Sequence, residues 1–288
     1  MAAPVIEVAR CAGVCYGVER ALRLAYAAAE GAEGPVHTLG ALIHNPIVVA
    51  DLSSRGIQAV ETPAEAGAGT LVMRAHGVPP EVEDDARARG LEVVDATCPF
   101  VKKAHRAAAQ LAAEGYQVVV LGEAGHPEVL GILGHAGADA LVVAGPDDLA
   151  GARLFKRVGL VVQTTQTAGA LAAVVGALAP QVDELRVMNT ICTATQERQE
   201  AAAGLAARAD VMVVIGGRNS GNTRRLAQIC AERCANTHHV EDAAELERGW
   251  FAGARLIGVT AGASTPASHI DRARERIERL TLSMGAEA

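Results

Sequence analysis

Aromatic residues are scarce: Phe, Trp and Tyr together make up 2% of the 288 residues. Stacking platforms for bases are therefore in short supply. Basic charge is short as well, with 26 Lys and Arg against 33 Asp and Glu, a net charge of −7. Nothing in that balance asks for a nucleic-acid partner, whose phosphates need a basic face. Long apolar runs are missing too. Runs such as Val211-Met212-Val213-Val214-Ile215 stop at about five residues, where a spanning helix needs about 20, so no membrane segment is expected. Residues 1–10 carry Glu7 and no basic stretch followed by an apolar one, which argues against a secretory signal and for the cytoplasm. No C-x-x-C pair occurs, and no G-x-G-x-x-G follows a strand-like run. Six cysteines in a reducing compartment are poor material for a disulfide framework. They are buried small residues, catalytic thiols or metal ligands.

What is present is alternation. Continuous Val/Leu/Ile runs (Val118–Leu121, Leu141–Val143, Val158–Val162, Val211–Ile215 and Leu256–Val259) alternate with Ala-rich stretches of helical period. The helical stretches include Val18–Glu30, Val101–Glu114, Ala194–Arg208, Asn222–Cys234 and His269–Leu282. Continuous apolar runs suit strands buried on both faces, hence a parallel α/β architecture. A coarser repeat is superimposed on this. A strand leads to a Cys that opens a helix: Cys15, Cys98 and Cys192. A polar loop follows 28 or 29 residues later, at His44-Asn45-Pro46, His126-Pro127-Glu128 and Ser220-Gly221-Asn222. A third loop follows in turn, at His76-Gly77-Val78-Pro79, Gln163-Thr164-Thr165-Gln166 and Ser264-Thr265-Pro266. Any α/β chain repeats strand, turn and helix, but it need not open each copy with Cys. The repeat predicts three pseudo-threefold-related α/β domains with small, mainly parallel sheets, over residues 1–96, 97–190 and 191–288. Ligands of open parallel sheets sit beyond the carboxyl ends of the strands. Three units around one axis would therefore aim three thiols and six polar loops at a central cleft.

A thiolate is favoured at a helix N-terminus by the helix dipole, and Pro99 after Cys98 suits the first helical position. Three thiolates from distant segments suggest a metal site. Structural zinc normally takes four ligands, commonly as close pairs. A four-iron cluster usually takes four cysteines. With three, one iron lacks a protein ligand and becomes a redox and Lewis-acid position for a substrate oxygen. Cys11 precedes Cys15 by four residues and could replace it as ligand. Cys15 is preferred because it immediately precedes a helix pattern, as Cys98 and Cys192 do, and a C-x-x-x-C-x-x-C motif is not completed. Cys230 and Cys234, at i and i+4, read as packing residues on one helix face. His37, His105, His135, His238, His239 and His269 read as surface or core-satisfied imidazoles.

At these residues the sequence resembles the IspH/LytB family of 4-hydroxy-3-methylbut-2-enyl diphosphate reductases, which close the non-mevalonate isoprenoid route. The matching stretches are Val14–Ala21, Ile43–Pro46, Ala75–Val78, Asp95–Pro99, Gly125–Val129, Gln163–Thr165, Ile191–Thr195, Asn219–Thr223 and Thr260–Ser264, in order and at family spacing. The resemblance implies a trefoil of three α/β domains around a central [4Fe-4S] cluster with one open iron, held by Cys15, Cys98 and Cys192. It implies that His44, His76, His126, Ser220, Asn222 and Ser264 bind the substrate diphosphate, with Gly221 in the same loop. Thr164 would contact the substrate hydroxyl, and Glu128, beside His126, would supply protons. The implied reaction reduces an allylic alcohol to isopentenyl and dimethylallyl diphosphates with electrons from reduced ferredoxin or flavodoxin. Helix N-termini and neutral imidazole, hydroxyl and amide groups suit such an anion, and a hydroxide leaving group needs protonation.

Three departures stand out: Val14 where Phe is common, the additional Cys11, and Gly221 where many relatives carry Ser. Two other readings share part of this logic. One is a three-Cys cluster enzyme of the quinolinate synthase type. The other is a non-catalytic metal- or cluster-binding protein.

Overall fold

The computed structural model describes residues 4–285. Its strands form three four-stranded sheets, and every strand pair is parallel. By chain contacts it divides into two compact units: Met1–Tyr16, His44–Pro46 and Thr193–Ala288 form one, and Gly17–Ile43 and Ile47–Cys192 the other.

The first unit holds one sheet, made of β1 (Val5–Val8), β10 (Val211–Ile215), β11 (Thr237–Val240) and β12 (Leu256–Ala261) in the order β1-β12-β10-β11. Its helices are α8 (Thr193–Ala206), α9 (Gly221–Ala231) and α10 (Ala267–Gly285). All five residues of β10 are buried, because both faces of the sheet are covered. Val211, Val213 and Ile215 pack with Ile270, Ala273 and Ile277 of α10. Met212 and Val214 pack on the other side with Ala202 and Leu205 of α8 and Leu226 of α9. Burying one such side chain is worth about 1.5–3 kcal/mol, so a continuous apolar strand is stable only with helices on both sides.

The second unit holds two sheets. One is made of β2 (Val36–Leu39), β3 (Ile57–Val60), β4 (Thr70–Met73) and β5 (Glu92–Asp95), in the order β3-β2-β4-β5. Its helices are α1 (Tyr16–Gly31), α2 (Pro46–Ser54), the single turn α3 (Pro63–Ala66) and α4 (Pro80–Ala88). The other is made of β6 (Gln117–Leu121), β7 (Leu141–Val143), β8 (Arg157–Val162) and β9 (Glu184–Met188), in the order β7-β6-β8-β9. Its helices are α5 (Pro99–Ala113), α6 (Pro127–Leu133) and α7 (Ala168–Leu178).

Each sheet has one internal order. The strand that leads to a Cys is at the edge, the third strand of the repeat lies beside it, then the first, then the second. The order reverses between first and third strands, which is where open α/β sheets bind ligands. Backbone bonds confirm the equivalence. The glycine ending each first strand donates to the end of the second: Gly40 to Val60, Gly122 to Val143 and Gly216 to Val240.

Two expectations need correction. The boundary at residue 96 assigns the N-terminal strand to the first sheet, yet β1 pairs with β12 and completes the third. A parallel sheet edge left open is a liability, and apolar patterning does not say which strand covers it. The helix expected over Asn222–Cys234 stops at Ala231. Cys234 therefore lies past its end, buried, with Sγ donating to Ala209 O.

Candidate functional site

In the first unit, six of the residues picked out by sequence lie at the carboxyl end of one sheet: Cys15, His44, Ser220, Gly221, Asn222 and Ser264. Ser220 is the N-cap of α9, its hydroxyl accepting from Thr223 N–H, an arrangement that serves one of the helix's unpaired donors. Asn222 follows in the first turn, 5% exposed, and neither its Oδ1 nor its Nδ2 has a partner. Burying an unpaired amide costs about 1–3 kcal/mol per group, so both atoms are open to a polar partner. The loop after β12 brings Ser264 to the same end, and Ser264 Oγ donates to His44 O at 3.2 Å. Asn45 Nδ2 returns a bond to Ser264 O at 2.7 Å, which seats the His44 segment on this sheet. Cys15 N–H donates to Ala263 O, one residue before Ser264. Gly262 allows this crowding, because a Cβ there would stand 2.1 Å from Thr223 Oγ1.

In the second unit, six further residues are linked in series, by contacts and, between Cys98 and His76, through Ala75. Cys98 N–H donates to Ala75 O, next to His76. The His76 ring meets that of His126 edge to face, centroids 5.6 Å apart. His126 is the N-cap of α6, with Nδ1 accepting from Glu128 N–H at 3.1 Å. Glu128 is 2% exposed. Its two carboxyl oxygens take the Thr164 N–H at 2.6 Å and the Thr164 hydroxyl at 2.9 Å. Cys192 N–H donates to Thr164 O at 3.0 Å. Burial raises the Glu128 carboxyl to about 7, against the opposing pull of the Thr164 bonds. A carboxyl poised there can deliver a proton near neutral pH and recover it.

The turn at His76 is supported from below. Gly77 has φ +73, and a Cβ on it would meet His105 Cε1 at 2.5 Å. A Cβ on Gly131 of α6 would meet His105 Nε2 at 2.9 Å. His105 thus fills the space between the His76 turn and the helix that carries Glu128. Its Nε2 is buried without a partner, and burial lowers its imidazole to about 4. The expected surface or core-satisfied imidazole is buried, with one ring nitrogen unpartnered.

None of the six cysteines is in a disulfide. Cys15, Cys98 and Cys192 are partly exposed, whereas Cys230 is buried and its thiol is pushed up to about 12 by burial. Cys11 is exposed, with φ 62, and lines a separate cavity of about 590 Å³ with Glu7, Glu197 and Arg208. It lacks the backbone bond that Cys15, Cys98 and Cys192 share. Among the described residues, no three His, Cys, Asp or Glu side chains group closely enough to hold a single metal ion.

A family model described as LytB protein matches residues 6–278. The chain belongs to the LytB family. A LytB relative from Aquifex aeolicus, named 4-hydroxy-3-methylbut-2-enyl diphosphate reductase, is 46% identical over 96% of each chain. One of the same name from Geobacter sulfurreducens is 48% identical over 95% of this chain and 96% of its own. A solved structure titled (E)-4-hydroxy-3-methyl-but-2-enyl diphosphate reductase, the terminal enzyme of the non-mevalonate pathway, is 46% identical. It aligns over 95% of this chain and 99% of its own, with a TM-score of 0.71. The reductase structure from Plasmodium falciparum is 25% identical and aligns over 95% of this chain and 88% of its own, with a TM-score of 0.90. The α/β class with three small parallel sheets is thus the family's fold.

Within the LytB frame the structure adds residues that sequence reading passed over. The third loops form the same turn three times, closed by Gly77 N–H to Arg74 O, Gln166 to Gln163 and Thr265 to Gly262. In that register Thr164 stands with Ala75 and Ala263, and Thr165 stands with His76 and Ser264. Gln163 is fully buried, with Oε1 accepting from Glu123 N–H and Nε2 without a partner. Asn45, not among the expected site residues, ties two loops together. Turn register was the signal that could have found Thr165; burial, which identifies Gln163, is invisible in one sequence.

Proposed function

We propose that this chain catalyses the reaction its relatives are named for, reducing (E)-4-hydroxy-3-methylbut-2-enyl diphosphate to isopentenyl and dimethylallyl diphosphates. The balance is two electrons and two protons in, one water out. The observation that carries the reading is the series in which Cys98 N–H bonds Ala75 O, the adjoining His76 meets His126, and His126, Glu128, Thr164 and Cys192 follow in contact, with a buried carboxyl of pKa about 7 at its centre.

The donor set fits an iron–sulfur cluster held by Cys15, Cys98 and Cys192. These are three partly exposed thiols outside any disulfide, each fixed by the same backbone bond at a strand's carboxyl end. We assign the four-iron type, with the fourth iron free of protein ligands. Bound there, such a cluster supplies electrons singly and a Lewis-acidic position. The chain's own groups do the rest. His44, Ser220, Gly221, Asn222 and Ser264 in one unit, and His76 and His126 in the other, bind the diphosphate through neutral donors and the α6 and α9 N-termini. Gly221 offers backbone in place of a hydroxyl. Thr164 Oγ1 holds the Glu128 carboxyl and orients the substrate hydroxyl. Glu128 donates the proton that lets oxygen leave as water and not as hydroxide.

Ferredoxin or flavodoxin, as one-electron carriers, fit as electron donors, and the cytoplasm as the place where free thiols persist. No helix of the described residues is long and apolar enough to cross a membrane. The quinolinate-synthase-type and non-catalytic alternatives leave the Glu128–Thr164 pair and the buried Asn222 amide without a task. Anaerobic turnover of the hydroxylated diphosphate with a reduced one-electron dye tests the proposal. Brown, iron-loaded protein should give both products, and inert or colourless zinc protein would sink it.

A further inference from the structure

The residues that aim the cysteines are a separate matter from the cysteines themselves. Two arginines reach from helices opened by one cysteine to the backbone just before another. Arg20 lies five residues after Cys15, in α1. Its Nη1 donates to Thr97 O at 3.1 Å and its Nη2 to Asp95 O at 3.4 Å. Thr97 C=O and Cys98 N–H belong to the same peptide, and the N–H end is held by Ala75 O. That peptide plane is therefore fixed at both ends. Arg198 lies six residues after Cys192, in α8, and is 3% exposed. Its Nη2 donates to Gly13 O at 2.8 Å and its Nη1 to Ala194 O at 3.0 Å. Gly13 is two residues before Cys15, whose own N–H is held by Ala263 O.

The turns before the cysteines explain why Cys15 in particular needs help. Three residues before Cys98, Asp95 Oδ1 accepts from Thr97 N–H, and three before Cys192, Asn189 Oδ1 accepts from Ile191 N–H. Such a side chain closes its own turn. The equivalent position before Cys15 is Ala12, which has no side-chain oxygen. There the bracing comes from outside, through Arg198. Guanidinium suits the task because it stays charged and its fork reaches two carbonyls at once.

We infer that Arg20 and Arg198 are positioning residues that hold the Cys98 and Cys15 backbones in the geometry of cluster ligands. The inference rests on the ligand assignment proposed above. A charge-assisted hydrogen bond lost at each carbonyl is enough for about a tenfold change in how often that segment opens.

The test uses iron-loaded protein, prepared anaerobically and exposed to a chelator and iodoacetamide. Peptide mapping follows which thiol is alkylated first while iron release is timed. Arg20→Met should speed iron release about tenfold and bring Cys98 to the front of the labelling order. Arg198→Met should do the same for Cys15, with Cys192 as the internal reference in both. Arg20→Lys and Arg198→Lys keep the charge but not the fork, and should move the same thiols in the same direction by less. They serve if a Met variant does not fold. An unchanged labelling order in iron-loaded variants, or equal acceleration of all three thiols, would remove the clamps and leave the proposed reaction intact. Cys98→Ser protein with a full iron complement would instead remove the ligand assignment itself.

Discussion

Replacing Glu128 by Gln tests the acid role and the burial argument together. The carboxyl rises from 4.5 to about 7 on folding because it is enclosed. At about 1.4 kcal/mol per unit, that rise corresponds to roughly 3 kcal/mol between the two protonation states. The sign follows from proton counting. Between these two pH values the folded chain holds a proton at Glu128 that the unfolded chain has released. Stability from this group is therefore complete below about 4.5 and is lost as pH rises through about 7. Gln cannot ionise and keeps the volume, so the difference in unfolding free energy between the wild type and Glu128→Gln should change by roughly 3 kcal/mol between pH 4.5 and 8. Chemical denaturation of the two proteins, side by side at each pH, reads this directly. In kinetics, kcat/KM of the wild type should fall above about pH 7 with the loss of one proton. Glu128→Gln should retain iron and bind substrate but lose turnover by at least about a hundredfold. A pH-independent stability difference would refute the burial argument. Near-normal turnover would strip Glu128 of its acid role.

Replacing Cys15, Cys98 or Cys192 by Ser should sharply lower iron and sulfide content, measured chemically after anaerobic purification. The same change at Cys11, Cys230 or Cys234 should not. Asn222→Leu removes two buried, unpartnered polar atoms and should stabilise the ligand-free protein by about 1 kcal/mol or more in urea unfolding. The same variant should raise the KM for the diphosphate at least about tenfold. Gly77→Ala adds a Cβ at positive φ, 2.5 Å from His105 Cε1. It should lower stability by about 2 kcal/mol or more, seen as a lower urea midpoint.

The pseudo-threefold plan was legible in the sequence because it rests on local chemistry. Apolar runs such as Val118–Leu121 and Val211–Ile215 suit strands covered on both faces, and both are fully buried strands. Cys15, Cys98 and Cys192 each sit where a strand gives way to a helix, and polar loops recur at fixed distance. Short mixed strands such as β2, with His37 and Thr38 inside it, and β11, with His238 and His239, carry no such run. Their partners and not their composition make them strands.

Sequence alone thus determined the repeat, the three thiols and the polar loops, since spacing along a chain is itself a geometric constraint. Only the tertiary structure decided that β1 closes the third sheet, that Thr165 and not Thr164 stands with His76 and Ser264, and that Glu128 is enclosed by Thr164. It alone showed Arg20 and Arg198 reaching carbonyls 77 and 185 residues away in the chain. Hydrogen bonds of that span and the dielectric around a buried carboxyl depend on packing between distant segments, which no local pattern encodes.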